Sequence, residues 1–512
     1  MQYRENIKSS NINNKRILEW KDNPIIIFGA GTWGDEAYSI LTEYGFNVIG
    51  FSDNNEKKWG SEFRNKKVYA PKDIVEKSNN VRFVIAISSG AENVRTQLLK
   101  LGIKDEVILI YSYDIDVLLR GCEKEKWKYL SELPIPDIQE DYCMGCGSCV
   151  ATCSTEAIKL LPDQYGYYKP VIDKEKCINC GGCERVCPAH NKVKRNNCEE
   201  PALYSFYAAK EETLKGSSSG AIFPVIAEEF INRDGVIVGA AWNADIKGEK
   251  SRVWDNGLYA EHTVVSNKDE LTILYKSKYM QSYLGNIGAK VKTLLESGTK
   301  VLFSGCPCQV AGLYAFLAKE YDKLYTIDIL CGNSPSSGFF QKYLSETFEE
   351  IPRSYTFRYK DDKWDWSTVR VVLQDGSEQI RHGIHEDQYQ SIYHDHTMCP
   401  FHCQMCRYHS LPRMADLTIG DFWGYSQFDP EGCNPMGTSA LLVNNDKGQE
   451  LVNYIPSEKI GMLKQVPIKW LGNNGYIFHG KTNYCSKYRD RFYRAINWLT
   501  FSEAIAYARC SN

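Results

Sequence analysis

Cys143-Met-Gly-Cys146-Gly-Ser-Cys149-Val-Ala-Thr-Cys153 and Cys177-Ile-Asn-Cys180-Gly-Gly-Cys183-Glu-Arg-Val-Cys187-Pro188 repeat one spacing, C-x2-C-x2-C-x3-C. Three closely spaced thiolates hold three irons of a cube, and the fourth lies beyond a turn. Where two such runs occur together, each fourth cysteine ligates the other cluster. The spacing therefore predicts one [4Fe-4S] cluster on Cys143, Cys146, Cys149 and Cys187. A second is expected on Cys177, Cys180, Cys183 and Cys153. Two zinc knots or a disulfide framework are the alternatives. Zinc sites, however, pair two short C-x2-C halves instead of making a four-cysteine run.

The rest of the chain gives these runs a setting. At 512 residues it has room for about three domains. Nineteen cysteines is a high and odd number, and chain length and cluster spacing argue against a secreted, disulfide-stapled protein. A net charge of −3 gives no general attraction to nucleic acid or to an anionic membrane. Met1 to Asn14 is polar and lacks the apolar stretch of a signal peptide. The nearest approach to a membrane span, Val301 to Ala318, is broken by Ser304, Pro307 and Gln309. These features predict a cytoplasmic protein without a membrane span, where thiols stay reduced.

Residues 1–21 read as a polar arm. Residues 22–120 alternate short apolar strands (Pro24 to Phe28, Val48 to Phe51, Val81 to Ile87, Val107 to Ile110) with helical stretches, the pattern of a parallel sheet. A charged, proline-ended linker is expected over 121–137, a two-cluster ferredoxin domain over 138–198, and one long α/β region over 201–512. In the first lobe, Gly29, Gly31 and Gly34 form G-x-G-x-x-G between a strand and a helix, and Asp53 closes the next strand. That is the Rossmann-like fingerprint, in which backbone N–H groups meet a phosphate at a helix start and the carboxylate meets ribose. Nucleotide or nucleotide-sugar binding, NAD binding and a scaffold with an empty loop all remain open for it.

Four islands stand out further on. Gly216-Ser217-Ser218-Ser219-Gly220 precedes an apolar helix, suiting an anion as well as an ordinary helix cap. Lys276-Ser277-Lys278-Tyr279-Met280-Gln281-Ser282 combines cations, donors and an aromatic ring. Phe303-Ser304-Gly305-Cys306-Pro307-Cys308-Gln309 runs from strand through turn into helix. The last is Cys399-x3-Cys403-x2-Cys406, followed by Gly420-Asp421-Phe422-Trp423. With Cys331-Gly332, these islands make roughly Ile138 to Lys447 resemble the beta subunit of coenzyme F420-reducing hydrogenases and dehydrogenases.

That resemblance implies FAD in a C-terminal flavin-binding domain, held by Ser217, Ser218, Ser219, Gly220, Ser277, Lys278, Tyr279, Gln281, Ser282, Pro307 and Gln309. It implies electron passage between the ferredoxin clusters and the flavin. Lys278 would stabilise a reduced flavin, and Asp421 would position groups or move a proton, unless it is a plain turn residue. Cys308, Cys331, Cys403 and Cys406 make a candidate third [4Fe-4S] site, with Cys306 and Cys399 as substitutes. Six of the nine histidines fall between His382 and His409 and read as a surface insertion sooner than as a metal site.

The expected whole is a multidomain α/β iron–sulfur flavoprotein oxidoreductase. It would act on coenzyme F420 or, since the first lobe departs from the hydrogenase pattern, on a polysaccharide-pathway sugar nucleotide. A redox partner protein or a small electron donor would serve it. The alternatives are a module that only relays electrons to a partner enzyme, and a non-redox protein with structural clusters.

Overall fold

The computed structural model describes residues 14–75, 80–87, 90–111, 142–195, 197–243, 258–361, 363–474, 478 and 486–509. The linker expected over 121–137 lies outside them. The chain divides into two compact units, Met1–Pro134 with Ser502–Asn512, and Ile135–Phe501.

The first unit holds a six-stranded sheet. Its strands are β1 (Pro24–Phe28), β2 (Asn47–Ser52), β3 (Glu62–Phe63), β4 (Lys66–Tyr69), β5 (Arg82–Ile85) and β6 (Ile108–Ile110), in the order β3-β4-β2-β1-β5-β6. All pairs are parallel except β3 with β4. Helices α1 (Thr32–Glu43) and α2 (Ala91–Lys100) are its crossovers. Ile25 and Ile27 pack in one core and Ile26 and Phe28 in another, as a sheet covered on both faces requires. The expected polar arm is shorter than 1–21, because Asn14–Trp20 forms a 3-10 helix that buries Ile17 and Trp20. Two of the three motif glycines, Gly29 and Gly34, are needed sterically. A Cβ on Gly34 would meet Gly29 O at 1.7 Å, and one on Gly29 (φ 120°) would meet Ala86 O at 2.3 Å.

The second unit centres on an eight-stranded sheet. Its strands are β9 (Ala202–Ala208), β10 (Gly235–Asn243), β11 (Tyr259–Val265), β12 (Lys300–Gly305), β13 (Leu324–Ile329), β17 (Leu417–Asp421), β18 (Ser439–Val443) and β19 (Ile460–Val466), ordered β11-β10-β12-β13-β17-β18-β9-β19. Strands β10, β12, β13 and β17 run parallel, and the outer pairs are antiparallel. A three-stranded antiparallel sheet, β14 (Ser354–Phe357), β15 (Val369–Val372) and β16 (Glu378–Arg381), lies between β13 and β17 in sequence. Ile237 and Leu302 face one core, while Val236, Val238, Val301 and Phe303 face the other. This period-two alternation keeps the central strands apolar on both sides.

The ferredoxin segment forms a short helix α3 (Ser148–Thr152), a hairpin of β7 (Ile158–Pro162) and β8 (Tyr168–Ile172), and a second short helix α4 (Gly182–Arg185). It belongs to the second compact unit. Met144 joins the core of Phe303 and Val310, and Tyr408 Oη donates to Pro188 O at 2.7 Å. The C-terminal region likewise ends short of residue 512, since residues 502–512 group with the first unit.

Candidate functional site

A cavity of about 280 Å³ opens where β12, β13 and β17 end. The carboxyl ends of parallel strands are where open α/β sheets bind ligands. Ser217, Ser218, Ser219, Ser277, Lys278, Tyr279, Ser282, Cys306, Gln309, Cys331 and Asp421 all line it, so the islands of the sequence meet in one place.

Each island is shaped by local bonds. Before helix α5 (Ile222–Ile231) the serine loop turns tightly, and a Cβ on Gly220 would meet Phe206 O at 2.2 Å. Ser217 and Ser219 donate their hydroxyls to the carbonyls of Leu214 and Thr438. Ser218 Oγ accepts from Ser277 N at 2.9 Å, joining the first two islands. Pro307 opens helix α6 (Pro307–Leu317), where its missing N–H costs nothing. Gln309 folds back, accepting from Cys306 N and donating to Ser282 Oγ, both at 2.8 Å. Gln281, expected beside the cofactor, turns the other way. Its amide accepts from Tyr168 N and donates to Met144 O, tying down the ferredoxin segment.

Lys276, Lys278 and Arg358 line the cavity, and Lys360 lies behind its serine loop. Arg358 Nη1 donates to Asp421 Oδ2 at 2.7 Å and to Tyr279 Oη at 2.8 Å. Lys360 Nζ donates to Leu214 O, and Lys276 Nζ to Lys215 O. Burial, followed by the charges of Arg358 and Arg370, pushes Lys276 down to about 8. Burial, followed by the charges of Lys276 and Arg358, pushes Lys360 down to about 7. Burial also lowers Lys278 to about 7, and its ammonium is held by the carbonyls of Ile273 and Tyr275. Asp421 is bonded to Arg358, which makes it an anchor for that guanidinium. Arg358 Nε and Asn333 Oδ1 are buried without a hydrogen-bond partner, and both residues line the cavity.

Arg358, Lys360 and His262 are additions that sequence reading missed. Each is a lone residue without a motif. His262 on β11 carries its proton on Nε2, toward Ser304 O at 3.0 Å, and Nδ1 accepts from Ser282 Oγ at 3.0 Å. Burial lowers it to about 4, so it stays neutral. The Tyr279 ring stacks on Tyr393 with centroids 4.2 Å apart. His402 and His409 are buried, and His394 packs edge-on to Trp366 at 4.5 Å, so these three are not part of a surface insertion.

The thiols gather in groups. Burial pushes Cys146 up to about 11 and Cys149 to about 12, and Cys143 and Cys187 add to both shifts. Cys187 thus lies within electrostatic reach of the first run. In the second group, a Cβ on Gly182 would lie 3.5 Å from Cys180 Sγ and 3.2 Å from Thr152, the neighbour of Cys153. A third group lies beside the cavity. Burial raises Cys308 and then Cys406, Cys331 and Cys146 reinforce it, while Cys403 is raised by burial and then by Cys399, Cys331, Cys406 and Cys308. Cys306 Sγ lies 3.8 Å from Cys331 Sγ. Among the described residues no group of three or more His, Cys, Asp or Glu is set to hold a single ion. The thiols nevertheless sense one another, and their all-sulfur chemistry fits iron–sulfur clusters.

In the first unit Asp53 Oδ2 accepts from Ala30 N at 2.9 Å and from Lys58 Nζ at 2.9 Å, and Oδ1 accepts from Asn55 N. Burial acts to raise its pKa, but Asn55 N–H, Lys58 and Ala30 N–H together hold it below the usual carboxylate value. Both oxygens are engaged with the glycine loop and its neighbours, where the fingerprint would have them meet ribose.

Comparison with known proteins fits this anatomy. Residues 298–468 match the family described as the C terminus of the coenzyme F420 hydrogenase/dehydrogenase beta subunit. Residues 142–191 match the 4Fe-4S dicluster domain, and 21–109 match the C2185-like N-terminal domain. The coenzyme F420-dependent sulfite reductase of Methanocaldococcus jannaschii is 22% identical over 361 residues, 67% of this chain and 51% of that protein. The chain thus spans about half the length of that relative. Among solved structures, the F420-reducing [NiFe] hydrogenase complex of Methanosarcina barkeri aligns with 16% identity over 58% of this chain and 94% of that one, at a TM-score of 0.36. RSP, a Rex-family repressor, aligns with 19% identity over 24% of this chain and 68% of that one, at a TM-score of 0.17. No described helix is long and apolar enough to cross a membrane. The chain thus carries a dicluster domain ahead of a C-terminal region, residues 298–468, that is similar to the coenzyme F420 hydrogenase/dehydrogenase beta subunit.

Proposed function

We propose that this protein is an iron–sulfur flavoenzyme that moves electrons between its clusters and a dinucleotide, FAD, bound in the cavity of the second unit. The observation that carries the reading is charge. Lys276, Lys278 and Arg358 line the cavity against one carboxylate, Asp421, and Lys360 lies behind its serine loop, bonded to Leu214 O and Ser219 O. Buried positive charge without a counter-ion calls for an anionic ligand, and a pyrophosphate supplies one. FAD, when bound, interconverts a two-electron hydride and single electrons. Arg358 then anchors the anion while Asp421 and Tyr279 fix its guanidinium. Gln309, Ser282 and His262 hold the loop after β12 in one shape.

The three thiol groups suit an electron path toward the cavity. Ser148 Oγ, 3.1 Å from Cys146 Sγ, donates to Gly312 O at 2.8 Å, and Gly312 sits one turn beyond Cys308 on α6. Cys143, Cys146, Cys149 and Cys187 hold one cluster in this reading, and Cys177, Cys180, Cys183 and Cys153 the second. Cys308, Cys331, Cys403 and Cys406 hold a third. The organic substrate is coenzyme F420 or a related two-electron carrier. The test is anaerobic purification with iron, sulfide and flavin analysis, then a bleaching screen with reduced F420, NAD(P)H and sugar nucleotides. Protein that folds but retains neither flavin nor iron after reconstitution defeats the proposal.

A further inference from the structure

The end of the ferredoxin segment that bears Cys177, Cys180 and Cys183 is its most exposed part. Every residue from Val171 to Lys176 is exposed, as are Ile178, Asn179 and Cys180. Val171, Ile172 and Ile178 retain 50%, 46% and 66% of their surface, although all three are large and apolar. The first run is the reverse case. Met144 and Ser148 are buried there, and Cys146 packs against Gly312. The segment therefore has an inner end, facing α6 and Cys308, and an outer end that presents apolar side chains beside thiols.

We infer that this outer end docks a small one-electron carrier protein whose own redox group is ringed by apolar side chains. The inference rests on the electron path proposed above and adds its entrance. Three facts select this occupant. Ile178 lies between Cys177 and Cys180, so whatever covers it stands next to the cluster those thiols would hold. The patch is small. Three partly exposed aliphatic side chains fall far below the roughly 800 Å² per partner of a stable interface, which excludes a lasting dimer and fits a brief electron-transfer encounter. Its charges also cancel, with Lys174, Lys176 and Arg185 against Asp173, Glu175 and Glu184. Recognition is then by apolar contact, with weak salt dependence. In each encounter the carrier loses one electron and the outer cluster gains one, and no bond forms or breaks. Two encounters supply one two-electron reduction.

The experiment uses the full holoprotein with a reduced two-[4Fe-4S] ferredoxin and a reduced flavodoxin as probes, and methyl viologen radical as a small donor. Electron delivery is followed anaerobically, and binding of a fluorescently labelled probe by anisotropy. Ile178→Glu should weaken probe binding and slow delivery from at least one carrier protein by about tenfold or more. Iron content and reduction by methyl viologen should be unchanged. Val171→Glu, on the exposed face of β8, is the second variant, should Ile178→Glu lose iron. Undiminished probe binding and delivery in both variants overturns the docking site. So does a parallel loss of viologen and carrier rates, which would place the defect in the clusters, or concentration-dependent self-association abolished by the same variants. Wild-type protein that viologen cannot reduce would instead overturn the electron path, while the binding measurement still decides the docking.

Discussion

Protonation of Lys360 gives the sharpest test of an anion-binding cavity. The side chain is 3% exposed, and burial, then Lys276 and Arg358, hold its ammonium down at about 7. A bound pyrophosphate supplies the missing counter-charge and raises that value, so binding takes up a proton. Above pH 7 the ligand-free cavity has lost this proton, and binding must restore it at about 1.4 kcal/mol per pH unit. From pH 7, where the group is already half deprotonated, to pH 9 the added cost is about 2.3 kcal/mol, about fiftyfold in Kd from this lysine alone. Lys276, held at about 8, steepens the upper half of the range. FAD titrations followed by flavin fluorescence between pH 6 and pH 9 measure the slope. The same depression acts on the ligand-free fold. Between about 7 and the ordinary 10.5 the folded form binds fewer protons than the unfolded chain, so stability rises with pH across that window. Lys360→Met should bind FAD more weakly at pH 7 and show a flatter pH profile. Wild-type affinity that is level from pH 7 to pH 9 refutes the reasoning.

Other consequences are quicker to check. Gly312→Ala places a Cβ 2.6 Å from Cys146 Cβ and 2.9 Å from its sulfur, so it should cost about 1–3 kcal/mol and reduce iron content; an unchanged melting temperature and iron count would dissolve the contact. Fully loaded protein should hold about twelve irons, and Cys308→Ala should reduce this to about eight while leaving the two ferredoxin signals in electron paramagnetic resonance. An iron count of about eight in both forms would remove the third site. Lys58→Ala should release Asp53 from its cation and alter nucleotide binding by the first unit, read by titration calorimetry of the full chain. No binding by either form leaves the glycine loop a scaffold.

The parts legible in the sequence were those written in adjacent residues. Two cysteine runs, the strands Pro24–Phe28, Asn47–Ser52 and Ile108–Ile110, and four islands each signal themselves within about ten residues. The parts that escaped depend on distant segments meeting. Arg358 and Lys360 follow β14, yet they serve the loop before α5, well over a hundred residues upstream. Gln281 and Ser282 are neighbours in an extended stretch, where successive side chains point to opposite faces. Ser282 therefore reaches the cavity and Gln281 the ferredoxin segment. Helix α6 makes the same point in a form that bears on function. Cys308 and Gly312 are four residues apart, so they share one helical face. The cysteine announces itself in Gly305-Cys306-Pro307-Cys308-Gln309, whereas the glycine has no motif at all. Its role is to be small enough for Cys146 to approach. One face of one helix then brings a thiol of the ferredoxin segment beside the thiols of the cavity, and any larger residue at 312 would push the two apart.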